Sequence, residues 1–219
     1  MTRPTLDELV VADEPEAWGR AGFRVEGDAC DVGTARVRLA GREAGRRIAG
    51  WSLRDLEGVE LDGLPTTHSS APAREPAERH PNHVTTLDHV VVFSPELDRT
   101  VTALDAAGLD LRRVREEPTP AGAPRQAFFR IGEAILEVIQ APDGSPVMAN
   151  PDGPAGFWGL AFVVDDIEAA VASFPDGHVS EARPAVQEGR QIATVRREAG
   201  LALPVALMTR HADAVRPKG

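Results

Sequence analysis

The chain has 219 residues, 42% of them hydrophobic, enough to bury a core in one large domain or two small modules. Its 34 acidic against 24 basic residues give a formal charge of -10, which repels phosphate backbones and anionic lipid, so neither nucleic acid nor a membrane is an expected partner. A single cysteine, Cys30, excludes an internal disulfide, no apolar run approaches the roughly 20 residues of a membrane helix, and the polar start carries no apolar signal core, so a reducing cytoplasm is the expected address.

Residues 1–60 read as a small unit. Leu9-Val10-Val11 end a strand, Asp13 and Pro15 signal a helix start, and Gly22 is a helix stop. Strands are expected at 23–25, 34–39 and 47–53, separated by glycine-containing turns. Trp18 and Trp51 are expected in the core of this unit. Residues 61–83 are rich in proline and lack apolar periodicity, which predicts an extended linker carrying solvated histidines at 68, 80 and 83.

From residue 84 the pattern becomes regular. Leu87 to Phe93 alternates so that His89, Val91 and Phe93 share one face while Val90 and Val92 share the other. Ser94 and Pro95 open a helix with Leu97, Val101 and Leu104 on one face, and Gly108 ends it. Strands follow at 109–115, 126–131 and 134–139, the last two joined by the tight turn Gly132-Glu133. Ile135, Glu137 and Ile139 share a face, which sets a carboxylate among isoleucines.

The same grammar then returns. A strand at 157–164 leads through Asp165-Asp166 into a helix whose Ile167, Val171 and Phe174 lie 70 residues after Leu97, Val101 and Leu104. Strands are expected at 179–186, 191–196 and 204–209, and Arg125-Gln126 recurs as Arg190-Gln191. The expected fold is α+β: tandem βαβββ modules at 84–145 and 146–219 forming an open cup, preceded by the linker at 61–83 and a shortened, diverged βαβββ-like unit at 1–60.

The tandem pair, with its runs LDHVVV, ILEVIQ and GLAFVVDDIEAA, resembles the vicinal oxygen chelate superfamily of glyoxalases, extradiol dioxygenases and bleomycin-resistance proteins. The resemblance covers about residues 84–210. It implies a sheet curled into a cup and a divalent metal (Zn, Fe, Ni, Co or Mn) held by inward-facing residues of the first and last strand of each module. His89 and Glu137 match the two positions of the first module, with Glu137 also the catalytic carboxylate. In the second module Gly159 and Met208 stand at the corresponding places, with a neighbour of Met208 as the alternative, and neither can bind a metal. A third ligand would have to come from Gln187, His83, His211, the N-terminal unit or another subunit. Without a metal, His89 would bond to Glu137, whose charge would be kept by that histidine or by Arg125.

Trp158, Phe129 or its neighbour Phe128, Gln187 and Met208 are the candidate ligand-binding residues, and the apolar lining of Met208, Phe128 or Phe129, and Phe162 favours a hydrophobic or aromatic small molecule. Two functions follow from the resemblance: metal-assisted lyase, isomerase or dioxygenase chemistry, or metal-free binding or sequestration of the bleomycin-resistance type, with a homodimer open in either case.

Overall fold

The structure is a computed structural model and describes residues 3–117, 125–142, 144, 148 and 150–210. Its strands form two sheets, one of five strands and one of eight. The N-terminal sheet is built from β1 (Thr5–Val11), helix α1 (Pro15–Arg20), β2 (Ala29–Val32), β3 (Ala35–Leu39), β4 (Ile48–Arg54) and β5 (Thr66–His68). Residues 23–25 are not a strand. The chain there serves packing, with Phe23 set against Trp18 and Phe162 at ring-centroid distances of 4.7 and 5.3 Å. The expected linker contributes β5, because Thr66 to His68 find a parallel partner in Trp51 to Leu53. Past it, His80 is buried rather than solvated, its Nδ1 accepting the Arg24 amide at 2.9 Å.

The larger sheet holds both modules. The first consists of β6 (Val84–Ser94), α2 (Leu97–Ala106), β7 (Asp110–Arg115), β8 (Gln126–Ile131) and β9 (Ala134–Gln140). Glu96, not Ser94, caps α2, its carboxylate accepting the amides of Asp98 and Arg99; Ser94 is turned inward onto Thr100. The second consists of β10 (Gly156–Val164), α3 (Ile167–Ala172), β11 (Arg183–Pro184), β12 (Gln191–Val195) and β13 (Val205–Thr209). Its second strand is only two residues long where 179–186 was expected, since Pro184 has no amide to donate and Val179 makes only an isolated bridge to Val195.

Strand order is β11-β12-β13-β10-β6-β9-β8-β7, so each module closes its first strand onto its last in parallel and the modules join through the antiparallel pair β6 and β10. The sheet is open and does not close into a barrel. On β6 the valines at 90 and 92 are fully buried on the core face, where Leu104 of α2 and Leu136 and Val138 of β9 also sit. At roughly 1.5–3 kcal/mol per buried aliphatic side chain, this face anchors the sheet and leaves the other free for chemistry.

The N-terminal unit repeats the pairing logic of the whole tandem sheet, not of one module. Leu6-Asp7-Glu8-Leu9-Val10-Val11 aligns with Leu87-Asp88-His89-Val90-Val91-Val92. Val10 pairs with Arg38 on one side and Gly50 on the other, as Val91 pairs with Glu137 and Gly159. Trp51 donates its amide to the Pro65 carbonyl at 3.0 Å, and Leu160 does the same to Pro204 at 3.0 Å. Residues 5–68 are thus a pared-down copy of the pair, with fewer strands and one helix. Trp18 touches Phe162 edge-on at 6.1 Å and Trp51 touches Phe157 at 5.2 Å, so the two sheets share one core.

Candidate functional site

The free face of the large sheet carries a cavity of about 250 Å³ lined by Asp88, His89, Arg112, Arg113, Phe128, Ile135, Glu137, Gln187 and Arg190. Register explains the composition. His89 lies opposite Ile135, and Glu137 lies between Val91 and Phe128, so the histidine and the carboxylate share one face on strands separated in sequence by β7 and β8 but adjacent in space. His89 Nε2 is 3.3 Å from Glu137 Oε2.

Strict alternation would send Asp88 to the core face. The pairing of β6 with β10 instead steps from Ala161 opposite His89 to Phe162 opposite Leu87, leaving Asp88 as the extra residue of a β-bulge. A bulge lets two consecutive side chains point the same way. Asp88 therefore accepts from His89 Nδ1 at 2.8 Å and from both terminal nitrogens of Arg190, at 2.5 and 3.3 Å. Arg190 also donates to the Thr209 carbonyl at 2.7 Å, so Asp88 is clamped and in turn fixes the imidazole with Nε2 toward Glu137. A second bulge, at Arg112 between the pairs Leu111 with Phe129 and Arg113 with Phe128, brings Arg112 and Arg113 together to the rim.

Burial raises the Asp88 carboxyl, but the hydrogen bonds from His89 and Arg190 outweigh it and hold the group below the usual carboxylate range. Glu137 goes the other way. Its burial pushes the carboxyl above its ordinary value, opposed by the charge of His89 and a hydrogen bond from Gln126 and reinforced by the nearby Asp88. Arg125 does not reach it, being paired with Asp98 and Glu116. In the repeated Arg-Gln pair, the glutamine serves the site in the first module and the arginine in the second.

Of the side chains expected to touch a ligand, Gln187 and, of the two phenylalanines, Phe128 line the cavity, and the others lie elsewhere. Phe129 is fully buried on the core face; its neighbour Phe128 takes the place at the cup. Trp158 is a bulged residue of β10 whose ring stacks on Phe93 at 4.6 Å, with the Arg47 guanidinium 4.0 Å above it. Met208 is 2% exposed and pairs with Ile192 and Val163. Asp88, Arg112, Arg113 and Arg190 were missed: a bulge leaves no mark in the period of one strand, and the reach of Arg113 and Arg190 into the cup depends on strands paired at a distance.

The metal implied by the resemblance is tested by the donors present. Parallel pairing sets Ala206, not Met208, at the place corresponding to Glu137, since Ala161 pairs with Ala206 as Val91 pairs with Glu137. Gly159 is fixed by sterics: a Cβ there would sit 2.5 Å from the Pro204 carbonyl oxygen. Neither position offers a donor. His83 is bound to Asp165, and His211 lies outside the described residues. Among the described residues no three His, Cys, Asp or Glu side chains converge to hold an ion. Two donors beside three arginines do not fit a tight divalent site, which uses three or more protein ligands.

Residues 88–194 match the family described as the Glyoxalase/Bleomycin resistance protein/Dioxygenase superfamily. This part of the chain belongs to that superfamily. Its fold is similar to methylmalonyl-CoA epimerase from Mycobacterium tuberculosis, at 20% identity and a TM-score of 0.48 over 60% of this chain and 92% of the other. It is similar also to a hypothetical protein from Bacillus halodurans, at 18% identity and 0.47 over 61% and 98%. Streptomyces coelicolor methylmalonyl-CoA epimerase in complex with 2-nitronate-propionyl-CoA gives 22% identity and 0.48 over 59% and 96%. No curated protein matches the chain. Among the described residues no helix is long and apolar enough to cross a membrane.

The corresponding positions of the N-terminal sheet carry a different pair of side chains. Glu8 stands where His89 stands and Arg38 where Glu137 stands, and the two form a bidentate ion pair at 2.8 and 3.0 Å. Asp7, bulged like Asp88, is held by Arg54, Arg74 and Ser69, with Arg74 and Ser69 reaching in from the segment after β4. At the positions of Glu8 and Arg38 the N-terminal sheet thus holds an ion pair between neighbouring strands.

Proposed function

We propose that this glyoxalase-superfamily protein binds a small organic molecule in the cup of its large sheet without a metal, in the manner of the bleomycin-resistance members. The observation that carries the reading is the Asp88, His89 and Glu137 chain. A clamped aspartate fixes the imidazole, and the imidazole and Glu137 present a paired polar centre in a cavity whose apolar walls are Phe128 and Ile135 and whose other polar lining is Arg112, Arg113, Gln187 and Arg190. A cavity of about 250 Å³ lies below the usual range for drug-sized ligands and suits a compact metabolite. The test is thermal stabilisation by ligands from a metabolite library, with and without chelator. Stabilisation that survives chelator supports the reading, and stabilisation that vanishes with it refutes it.

A second reading, proton transfer, is favoured by Glu137. A buried carboxyl raised above its ordinary value beside a fixed imidazole is suited to move a proton to or from a bound ligand. Glu137 would accept the proton, and His89, held by Asp88, would keep the Glu137 carboxyl in place. Hydrogen–deuterium exchange at an acidic C–H of a bound ligand, lost in Glu137→Gln, tests it; exchange unchanged in that variant removes Glu137 from the chemistry.

A further inference from the structure

The three arginines at the cup differ in what they are already doing. Arg190 is spent on Asp88 and the Thr209 carbonyl. Arg112 is held by Asp110 at 3.1 Å. Arg113 has no carboxylate partner among the described residues; its guanidinium lies over the face of Phe128, 4.9 Å from the ring centroid. Stacking fixes the plane of a guanidinium while leaving its edge donors open, which is the arrangement that takes a carboxylate through two parallel hydrogen bonds.

Arg113 also stands in one row with the polar centre. Across the sheet the cross-strand partners run Arg113, Phe128, Glu137, Val91 and Gly159. Strands lie about 4.7–4.9 Å apart, so the Arg113 and Glu137 backbones are separated by roughly 10 Å. Phe128 forms the floor between them. Asp88 is paired with Arg190, and Asp110 is shared between Arg112 and Arg3, so the rim around Arg113 carries more guanidinium than carboxylate.

We infer that the ligand of the cup is a compact organic carboxylate: its carboxylate is read by Arg113, its flat or apolar body lies on Phe128, and an oxygen at its far end meets His89 and Glu137. This deepens the metal-free binding reading and rests on it. Arg113 is then the specificity-determining residue for the anionic end.

The experiment uses the full chain and a probe panel of small hydroxylated carboxylic acids, salicylate, 4-hydroxybenzoate and mandelate, each beside its uncharged amide and its phosphonate analogue. Binding is followed by calorimetry and by ligand-detected NMR. At least one acid should bind more tightly than its amide, by about ten- to hundredfold, the value of a charge-assisted hydrogen bond. That preference should disappear in Arg113→Gln, be partly kept in Arg113→Lys, and weaken with added salt. Arg113 is exposed on an edge strand, so these variants should melt with the parent. Acids and amides binding equally, or an acid preference unchanged in Arg113→Gln, overturns the assignment of Arg113 and leaves the cup as a neutral-ligand site. Phosphonates binding where carboxylates do not overturns the carboxylate. No binding by any acid, amide or phosphonate counts against the cup reading and this inference together.

Discussion

Gly159→Ala tests why the second module supplies no ligand to the cup. The added methyl would sit 2.5 Å from the Pro204 carbonyl oxygen and 3.1 Å from its Cβ, and the first of these is backbone that cannot rotate aside. The same carbonyl accepts the Leu160 amide at 3.0 Å, within the parallel pairing of β10 and β13. Relieving the overlap must push the two strands apart. Overpacking of this kind costs about 1–3 kcal/mol, and weakening the buried hydrogen bond adds about 1 kcal/mol. A loss of about 2–4 kcal/mol lowers the melting temperature of a chain of this size by roughly 5–15 °C. Differential scanning calorimetry measures it, with Gly156→Ala as the control, because a Cβ at Gly156 meets nothing within 4 Å. Gly50→Ala, where Pro65 O would be 2.9 Å away, should show the same effect in the N-terminal copy. A Gly159→Ala protein melting within about 1 °C of the parent would refute the steric argument. It would also reopen that position to a metal ligand.

Further outcomes follow from the same geometry. Arg190→Ala strands the carboxylate of Asp88 in a site where the two side chains are 7% and 16% exposed, and should cost about 3–5 kcal/mol in urea unfolding, with Asp88→Asn in the same chain recovering much of it. Glu137 has a folded pKa above its unfolded one, so the native state binds the extra proton and stability falls as pH rises from about 4.5 through the raised value. The slope is up to about 1.4 kcal/mol per pH unit in that window, and Glu137→Gln should be flat there; a parallel decline in both proteins would place the effect elsewhere. Asp88 acts in the opposite sense and below 3.8, so the two windows separate. Phe129→Ala should lose about 3–5 kcal/mol of stability, whereas Phe128→Ala should spare stability and weaken ligand binding; equal stability losses would mean the faces of β8 are misassigned. Elemental analysis of protein purified without a tag should find no stoichiometric metal, and one equivalent lost in Glu137→Ala would overturn the metal-free reading.

What a single chain can specify by its own period was present in the residues themselves. The alternation of β6, the 70-residue spacing of the two helices and the tight turn before β9 marked out the tandem modules and the faces of the strands carrying His89 and Glu137, while the resemblance implied that the two meet. Each of these is a property of one strand or helix and its immediate neighbours. The rest belongs to pairs of strands. Whether Asp88 and Arg112 point into the cup depends on bulges, which exist only where two strands disagree in register. Whether Phe128 or Phe129 lines it depends on which face of β8 meets the helices. That Gly159 must be glycine depends on a carbonyl 45 residues later in the chain, and that residues 5–68 repeat the whole pair rather than one module is visible only in which strand lies beside which. Tertiary structure decided these points because hydrogen-bond register and close backbone approach are relations between distant segments, and local patterning carries no energy term for them.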